Sequence, residues 1–403
     1  MTPLQVMAGT GRDRAHGSES HIERRPIREA AARATVAREN PFDALTAESG
    51  MIAFPPPQRW ARPSPSRPGD CGIAYSWGGW AWVWLSLYRA GVTAPDERML
   101  AGILTRLERV TGELPWNNAT SYMVGCGAAT LLAALAHPLD PERISPVLDQ
   151  QLEHWTSHCL STEQTDYFCG AAGALLAMIE IEHARPGTIP ARLIRHVHRE
   201  ATRGLDNMLA ESRERAVILG LSHGLAGYML ALETADSWLG LAYSDSARVA
   251  ALELLIGSGF DMGDHAVWPD ISRAGLTRKT SHAWCHGTVG IALSLVHCAV
   301  FNDIYDDAAA WALEAMKHPL RRRSDFCCGH AGRGQVLLEA YRVTGDDSYL
   351  RSARQIAAQH LERLRRSGRG YLVGRLGIEH FLWRLRRPSL PLLGVPPLRD
   401  TAG

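Results

Sequence analysis

Three cysteines, Cys285, Cys327 and Cys328, are the residues whose type and placement most directly imply chemistry. Each stands one or two residues before a glycine that opens an apolar run, in WCHGTVGIALSLV and CCGHAGRGQVLLEA. Cys285 lies two before Gly287 and Cys327 two before Gly329, so they hold equivalent places 42 residues apart. Thiolates converging from two neighbouring loops make a strong ligand set for zinc, and a fourth position left open makes such a site catalytic. Two other readings fit the same residues. One is a closed structural zinc site with His286 or Cys169 as fourth ligand; the other is a set of small buried thiols with no metal, since free cysteine packs well in cores.

The elements that must position these groups appear as a repeat. A loop, then Gly-x-x-Gly or a small variant, then an apolar run recurs from Gly78, Gly125, Gly170, Gly224, Gly287, Gly329 and Gly374. Spacings of 42 to 63 residues are those of stacked supersecondary units. In the first two, Ala81 and Ala128 replace the second glycine. Amphipathic segments lie between, opened by Pro95-Asp96-Glu97, Pro141-Glu142 and Asp346-Asp347, and acidic first turns suit the helix dipole. Each unit therefore reads as one outer amphipathic helix and one inner apolar helix. The expected class is all-α, either closed into an α/α toroid or left as an open solenoid. Trp80, Trp82 and Trp84 recur at a strand-like period of two, but their segment fills the first inner-helix slot and reads as helix.

Aligned on the first glycine, the preceding residues include Trp77, Cys169, His223, His286 and Cys328. Those two before it include Ser76, Ser222, Cys285 and Cys327. Polar and thiol groups thus concentrate at the helix starts of repeats three to six. Cys71, Cys126, Cys159 and Cys298 read as core thiols. Residues 1–66, charged early and proline-rich late, read as an irregular extension with a short helix at 27–39. The toroid is expected over 67–387, followed by a tail at 388–403 too rich in proline to stay helical.

Bulk properties narrow the partners. An apolar fraction of 46% and a charged fraction of 21% are ordinary for a chain that buries a core. A net charge of +1 gives no global attraction to nucleic acid or anionic membrane. No run approaches the ~20 apolar residues of a membrane helix, and Met1–Glu29 lacks the apolar stretch of a secretory signal, so a cytoplasmic location is expected. Eight cysteines in 403 residues are too sparse for a disulfide scaffold.

DYFCG (166–170), SHGLAG (222–227), WCHG (284–287) and CCGHAG (327–332) resemble, in order and spacing, the signatures of lanthionine synthetase C-like proteins. The resemblance spans roughly residues 70–387 and implies a seven-fold α/α barrel, favouring the toroid. It implies a zinc ion held by Cys285, Cys327 and residue 328, where many members carry histidine and this chain has Cys328. The implied reaction adds peptide cysteine thiols to dehydroalanine or dehydrobutyrine in a ribosomally made precursor peptide, dehydrated by a separate enzyme. His223 matches the family's catalytic histidine and Asp166 its acidic partner, while His286 takes a place often held by tyrosine or histidine. The plainer readings are a helix-start histidine for His223 and a loop cap for Asp166. Many cyclases carry an arginine four residues before the first zinc cysteine; here that place is Ser281, with Arg278 and Lys279 the nearest cations. A zinc protein that binds thiols without forming rings is the rival reading. A glycosidase on another α/α barrel is a weaker one, for it needs paired carboxylates and Asp166 stands alone among the signatures.

Overall fold

The computed structural model describes residues 71–110, 119–241, 243–263, 265–272, 281–318, 324–364 and 370–395. The extension at 1–66 with its helix at 27–39, and Arg278 and Lys279, lie outside the described residues.

Thirteen α-helices among the described residues alternate between two roles. The inner ones are α1 (Trp77–Arg89), α3 (Gly127–Ala136), α5 (Ala171–Ala184), α7 (Leu225–Leu239), α9 (Thr288–Phe301), α11 (His330–Thr344) and α13 (Arg375–Arg386). The outer ones are α2 (Glu97–Val110), α4 (Pro141–Ser161), α6 (Ala191–Glu211), α8 (Asp245–Ser258), α10 (Asp306–Ala315) and α12 (Asp347–Leu364). Inner helices are buried on nearly every side, as all-round apolar sequences must be. That is why Trp80, Trp82 and Trp84 sit in a helix despite their period of two. Outer helices start where the sequence signals them. Asp96 accepts the N–H groups of Arg98 and Met99 at 2.8 and 3.2 Å, and Asp140 accepts that of Arg143 at 3.3 Å. Between α8 and α9 a two-stranded hairpin, β1 (Phe260–Asp261) and β2 (Ala266–Val267), takes up part of the longest repeat spacing.

Each inner helix packs on the next, and α13 packs on α1, which closes the ring and excludes an open solenoid. The loops that enter the inner helices close the same ring in backbone hydrogen bonds. Ala74 donates its N–H to Met123, Thr120 to Cys169, Phe168 to Ser222 and Ser222 to Cys285. Trp284 then donates to Cys327, Cys327 to Leu372 and Leu372 back to Ala74, all at 2.6 to 3.0 Å. Every repeat gives at least one bond to its successor, so the seven loops lie at one end around one axis.

The second glycine of each motif makes this loop possible. A Cβ at Gly290 would lie 1.9 Å from the Trp284 carbonyl, and one at Gly173 would lie 2.0 Å from that of Tyr167. The carbonyl three residues before the first glycine is folded onto the first helical turn, and any side chain there collides with it. This geometry corrects the alignment of the first repeat on Gly78. Ser76 is the N-cap of α1, its N–H bonds the Gly72 carbonyl, and Gly79 meets the Ile73 carbonyl as the other second glycines meet theirs. Ser76 therefore holds the first-glycine place, and the residues before it are Tyr75 and Ala74, not Trp77 and Ser76.

Residues 387–395, beyond α13, are non-helical and pack into the barrel. Leu390, Leu392, Leu393 and Val395 are buried, and the Tyr167 hydroxyl donates to the Gly394 carbonyl at 3.3 Å. A cavity of about 270 Å³ lies beside this tail at the C-terminal ends of the inner helices, opposite the entry loops. A charged knot anchors the tail. Fully buried Arg384 pairs with Glu339, donates to Gln335 at 2.7 Å and holds the Leu390 carbonyl at 2.8 Å. Burial would raise the Glu339 carboxyl, but Arg342 and Arg384 hold it well below the usual carboxylate range. A carboxylate depressed in this way contributes stability above its unfolded value and loses it as pH falls through the folded one. Arg384→Met should lower the unfolding free energy by about 3–5 kcal/mol in urea titrations, since it strands part of a buried charge set. The acid-linked loss of stability through Glu339 should also be smaller than in the wild type and complete at a higher pH, because its folded value is then less depressed, and unchanged urea midpoints would show that the knot does not anchor the tail.

Candidate active site

Three register positions before the first-glycine place sort the loop side chains. The residue three before points to the axis and forms a buried floor that includes Tyr167, Trp284, Phe326 and Tyr371. The Tyr167 and Trp284 rings lie 5.9 Å apart although their repeats are not neighbours, so they meet across the axis. The residue two before carries most of the backbone ring and supplies Cys285 and Cys327. The residue one before forms the rim of the mouth. Tyr75, Cys169, His223, His286, Cys328 and Val373 occupy it, and all of them keep some exposure.

Cys285, Cys327 and Cys328 meet because repeats five and six are adjacent in this ring. Their Sγ atoms all lie within 4.8 Å of one another, and those of Cys327 and Cys328 are 3.6 Å apart. Sulfur ligands of a tetrahedral zinc are about 3.8 Å apart for bonds of about 2.3 Å, so the donor set fits an ion of that class. Among the described residues, neither His286 nor Cys169 belongs to this group. Contact with Cys327 pulls the Cys285 thiol down, but the Cys328 hydrogen bond and burial prevail and push it up to about 12. Hydrogen bonds to Cys285 and Cys328, with burial, drive Cys327 far above the usual thiol range. The three crowded thiols are thus held protonated by burial and by one another.

Across the rim, Asp166 Oδ2 lies 3.3 Å from His223 Nδ1. The other oxygen, Oδ1, accepts the Cys169 N–H at 2.7 Å. Asp325 makes the same bond to the Cys328 N–H, also at 2.7 Å. Asp166 is thus a loop cap and a histidine partner at once, one oxygen for each. The His223 ring stands 5.8 Å from that of His286 and edge-on to Phe168 at 5.4 Å. Burial, reinforced by His223, lowers the His286 pKa and favours its neutral form.

Tyr75 is the rim residue that sequence reasoning missed. It is 46% exposed, packs edge-on against Phe168, and its hydroxyl is pushed up to about 12 by burial and by Cys327, Cys285, Cys328 and Cys169. A phenol held protonated beside the thiols is a hydrogen-bond donor to whatever enters the mouth. The first repeat hid it because serine holds the first-glycine place; Gly79, three residues after Ser76, was the available signal. Ser281 lies beneath the start of α9, its N–H bonded to Trp268 and its carbonyl to the Thr288 N–H, both at 2.9 Å. Cys71, Cys126, Cys159 and Cys298 are buried and not in disulfides.

The solved structure of a protein described as nisin cyclase superposes with a TM-score of 0.60 at 17% sequence identity, covering 80% of this chain and 90% of that one. It shares the α/α toroid. Residues 75–394 match the family model described as lanthionine synthetase C-like protein. The matched span runs from the first rim residue to the tail inside the barrel, and the chain belongs to the lanthionine synthetase C-like family.

Proposed function

We propose that this chain is a zinc-dependent lanthionine or methyllanthionine cyclase. It adds cysteine thiols of a dehydrated precursor peptide to dehydroalanine or dehydrobutyrine, and a separate dehydratase prepares that peptide. The observation that carries this reading is the three-thiol group set beside an Asp166–His223 pair on one rim. Cys285, Cys327 and Cys328 would hold the zinc, which when bound lowers the pKa of a substrate thiol from about 8.5 toward neutrality. Among the described residues no helix is long and apolar enough to cross a membrane, and a cytoplasmic setting suits a site built on reduced thiols.

The addition needs a proton taken from sulfur and a proton returned to carbon. The thiol gives up its proton, sulfur bonds to the β-carbon, and the α-carbon is protonated, so the product keeps every atom of the peptide. Asp166 turns Nδ1 of His223 toward itself and leaves Nε2 for the substrate, as a carboxylate orients an imidazole. His223 therefore takes or returns the proton, and His286, kept neutral by burial, is its neighbour for the second transfer. Negative charge that develops on the carbonyl oxygen needs a donor. With Ser281 where many cyclases carry arginine, the Tyr75 hydroxyl fills that need from the first repeat. The substitution at Ser281 also favours the second reading, a zinc protein that binds thiols without ring formation.

Protein loaded with one equivalent of zinc should convert the dehydrated peptide encoded beside its gene to thioether rings. Mass spectrometry would register this as loss of alkylatable thiol without change in mass. On a Cys169→Ala background, which removes the other rim thiol, Cys327→Ala or Cys328→Ala should lose most of that zinc, because each removes one of only three protein donors; stoichiometric zinc in both would remove the three-thiol assignment. His223→Ala should keep the zinc yet slow ring formation by ~10²–10⁴-fold, and an unchanged rate would take His223 out of the mechanism. Zinc and thiol-peptide binding with no ring formed, by wild type or by Ser281→Arg, would select the thiol-binding reading.

A further inference from the structure

The loop that carries Cys328 is built twice. DYFCG (166–170) in repeat three and DFCCG (325–329) in repeat six share an aspartate three residues before a rim cysteine. In both, the aspartate Oδ1 accepts the N–H of that cysteine at 2.7 Å. The matching bonds fix the two loops in one conformation and present both rim thiols alike. In repeat six the thiol meets a donor of the preceding repeat, Cys285. In repeat three it meets a donor of the following repeat, His223.

Asp166, Cys169 and His223 each offer one ligand atom, and these atoms all lie within 4.8 Å of one another. A carboxylate, a thiol and an imidazole are the three donor types that zinc-class ions bind, and together they disfavour magnesium and calcium. Asp166 spends Oδ1 on the loop and keeps Oδ2 on the rim, so ligation does not require the loop to open. The Asp166 and His223 side chains are 22% and 35% exposed, which leaves room for water to complete a tetrahedral shell.

We propose that Asp166, Cys169 and His223 form a second binding site for a zinc-class ion, distinct from the three-thiol group. An ion there takes a ring nitrogen of His223 and the free oxygen of Asp166 out of service. If ring formation uses that pair, as the cyclase reading holds, zinc beyond one equivalent inhibits it, and this consequence alone rests on that reading. Binding itself does not.

Equilibrium dialysis of the intact protein against zinc, followed by elemental analysis, tests the site. Wild type should take up two ions, and Cys169→Ala and Cys169→Ser should each take up one. The triple variant Cys285→Ala, Cys327→Ala, Cys328→Ala should also take up one, and lose it when Cys169→Ala is added. Cobalt substitution adds a readout that folding defects do not imitate: in the triple variant the thiolate-to-cobalt absorption band should appear and then vanish with Cys169→Ala. One ion in wild type, or two in both Cys169 variants, would overturn the second site and leave the cyclase reading untouched. Two ions in wild type with no inhibition by excess zinc would keep the site and refute the role given to His223.

Discussion

The loops before the inner helices bond to one another in a closed circle, each N–H reaching the carbonyl of the following repeat, until Leu372 returns to Ala74. This circle fixes the height and rotation of seven helix starts around one axis. It depends in turn on the second glycine of the motif, whose missing side chain lets a carbonyl rest on the first helical turn. A side chain at Gly173 or Gly290 would push that carbonyl away, and the bond to the neighbouring loop would move with it. Repeat two tolerates Ala128 because its helix starts later, at Gly127, from an α-conformation cap at Cys126.

From that circle the chemistry follows by register. A side chain three places before the first-glycine position is driven to the axis and becomes floor, so tyrosine, tryptophan and phenylalanine suit it. Two places before, the backbone is committed to the circle and the side chain turns to its neighbour, which is why Cys285 and Cys327 meet across a repeat boundary. One place before, the side chain reaches the mouth, and histidine, cysteine and tyrosine collect there. Few of these groups need to be brought together by long-range folding of loops. A small set of substitutions on a symmetric scaffold suffices: repeats three to six carry Asp166, the histidines and the thiols, and repeat one adds Tyr75.

The parts of this arrangement marked by glycine pairs were legible in the sequence. Asp166, His223, His286, Cys285, Cys327 and Cys328 fall at fixed offsets from such pairs, and the structure brings them to the same end. Closure was legible through the family resemblance and not through the repeat pattern, because the bond between Leu372 and Ala74 joins two ordinary apolar residues that the pattern does not pair. Tyr75 was missed for a related reason: the N-cap Ser76 replaces the glycine that would have set the register. The path of the tail was hidden as well. Proline richness tells that residues 388–395 are not helical, but their burial depends on Arg384 and Gly394 meeting partners far away in sequence.

What the symmetric scaffold must achieve, for the function proposed, is three sulfurs on one ion with a place left for a fourth. X-ray absorption at the zinc edge, on wild-type protein loaded with one equivalent of zinc, reads that directly. Three sulfur neighbours at about 2.3 Å, joined by a fourth when a cysteine peptide is added, is the predicted result. A shell dominated by nitrogen and oxygen, or one sulfur that does not increase with peptide, would contradict it.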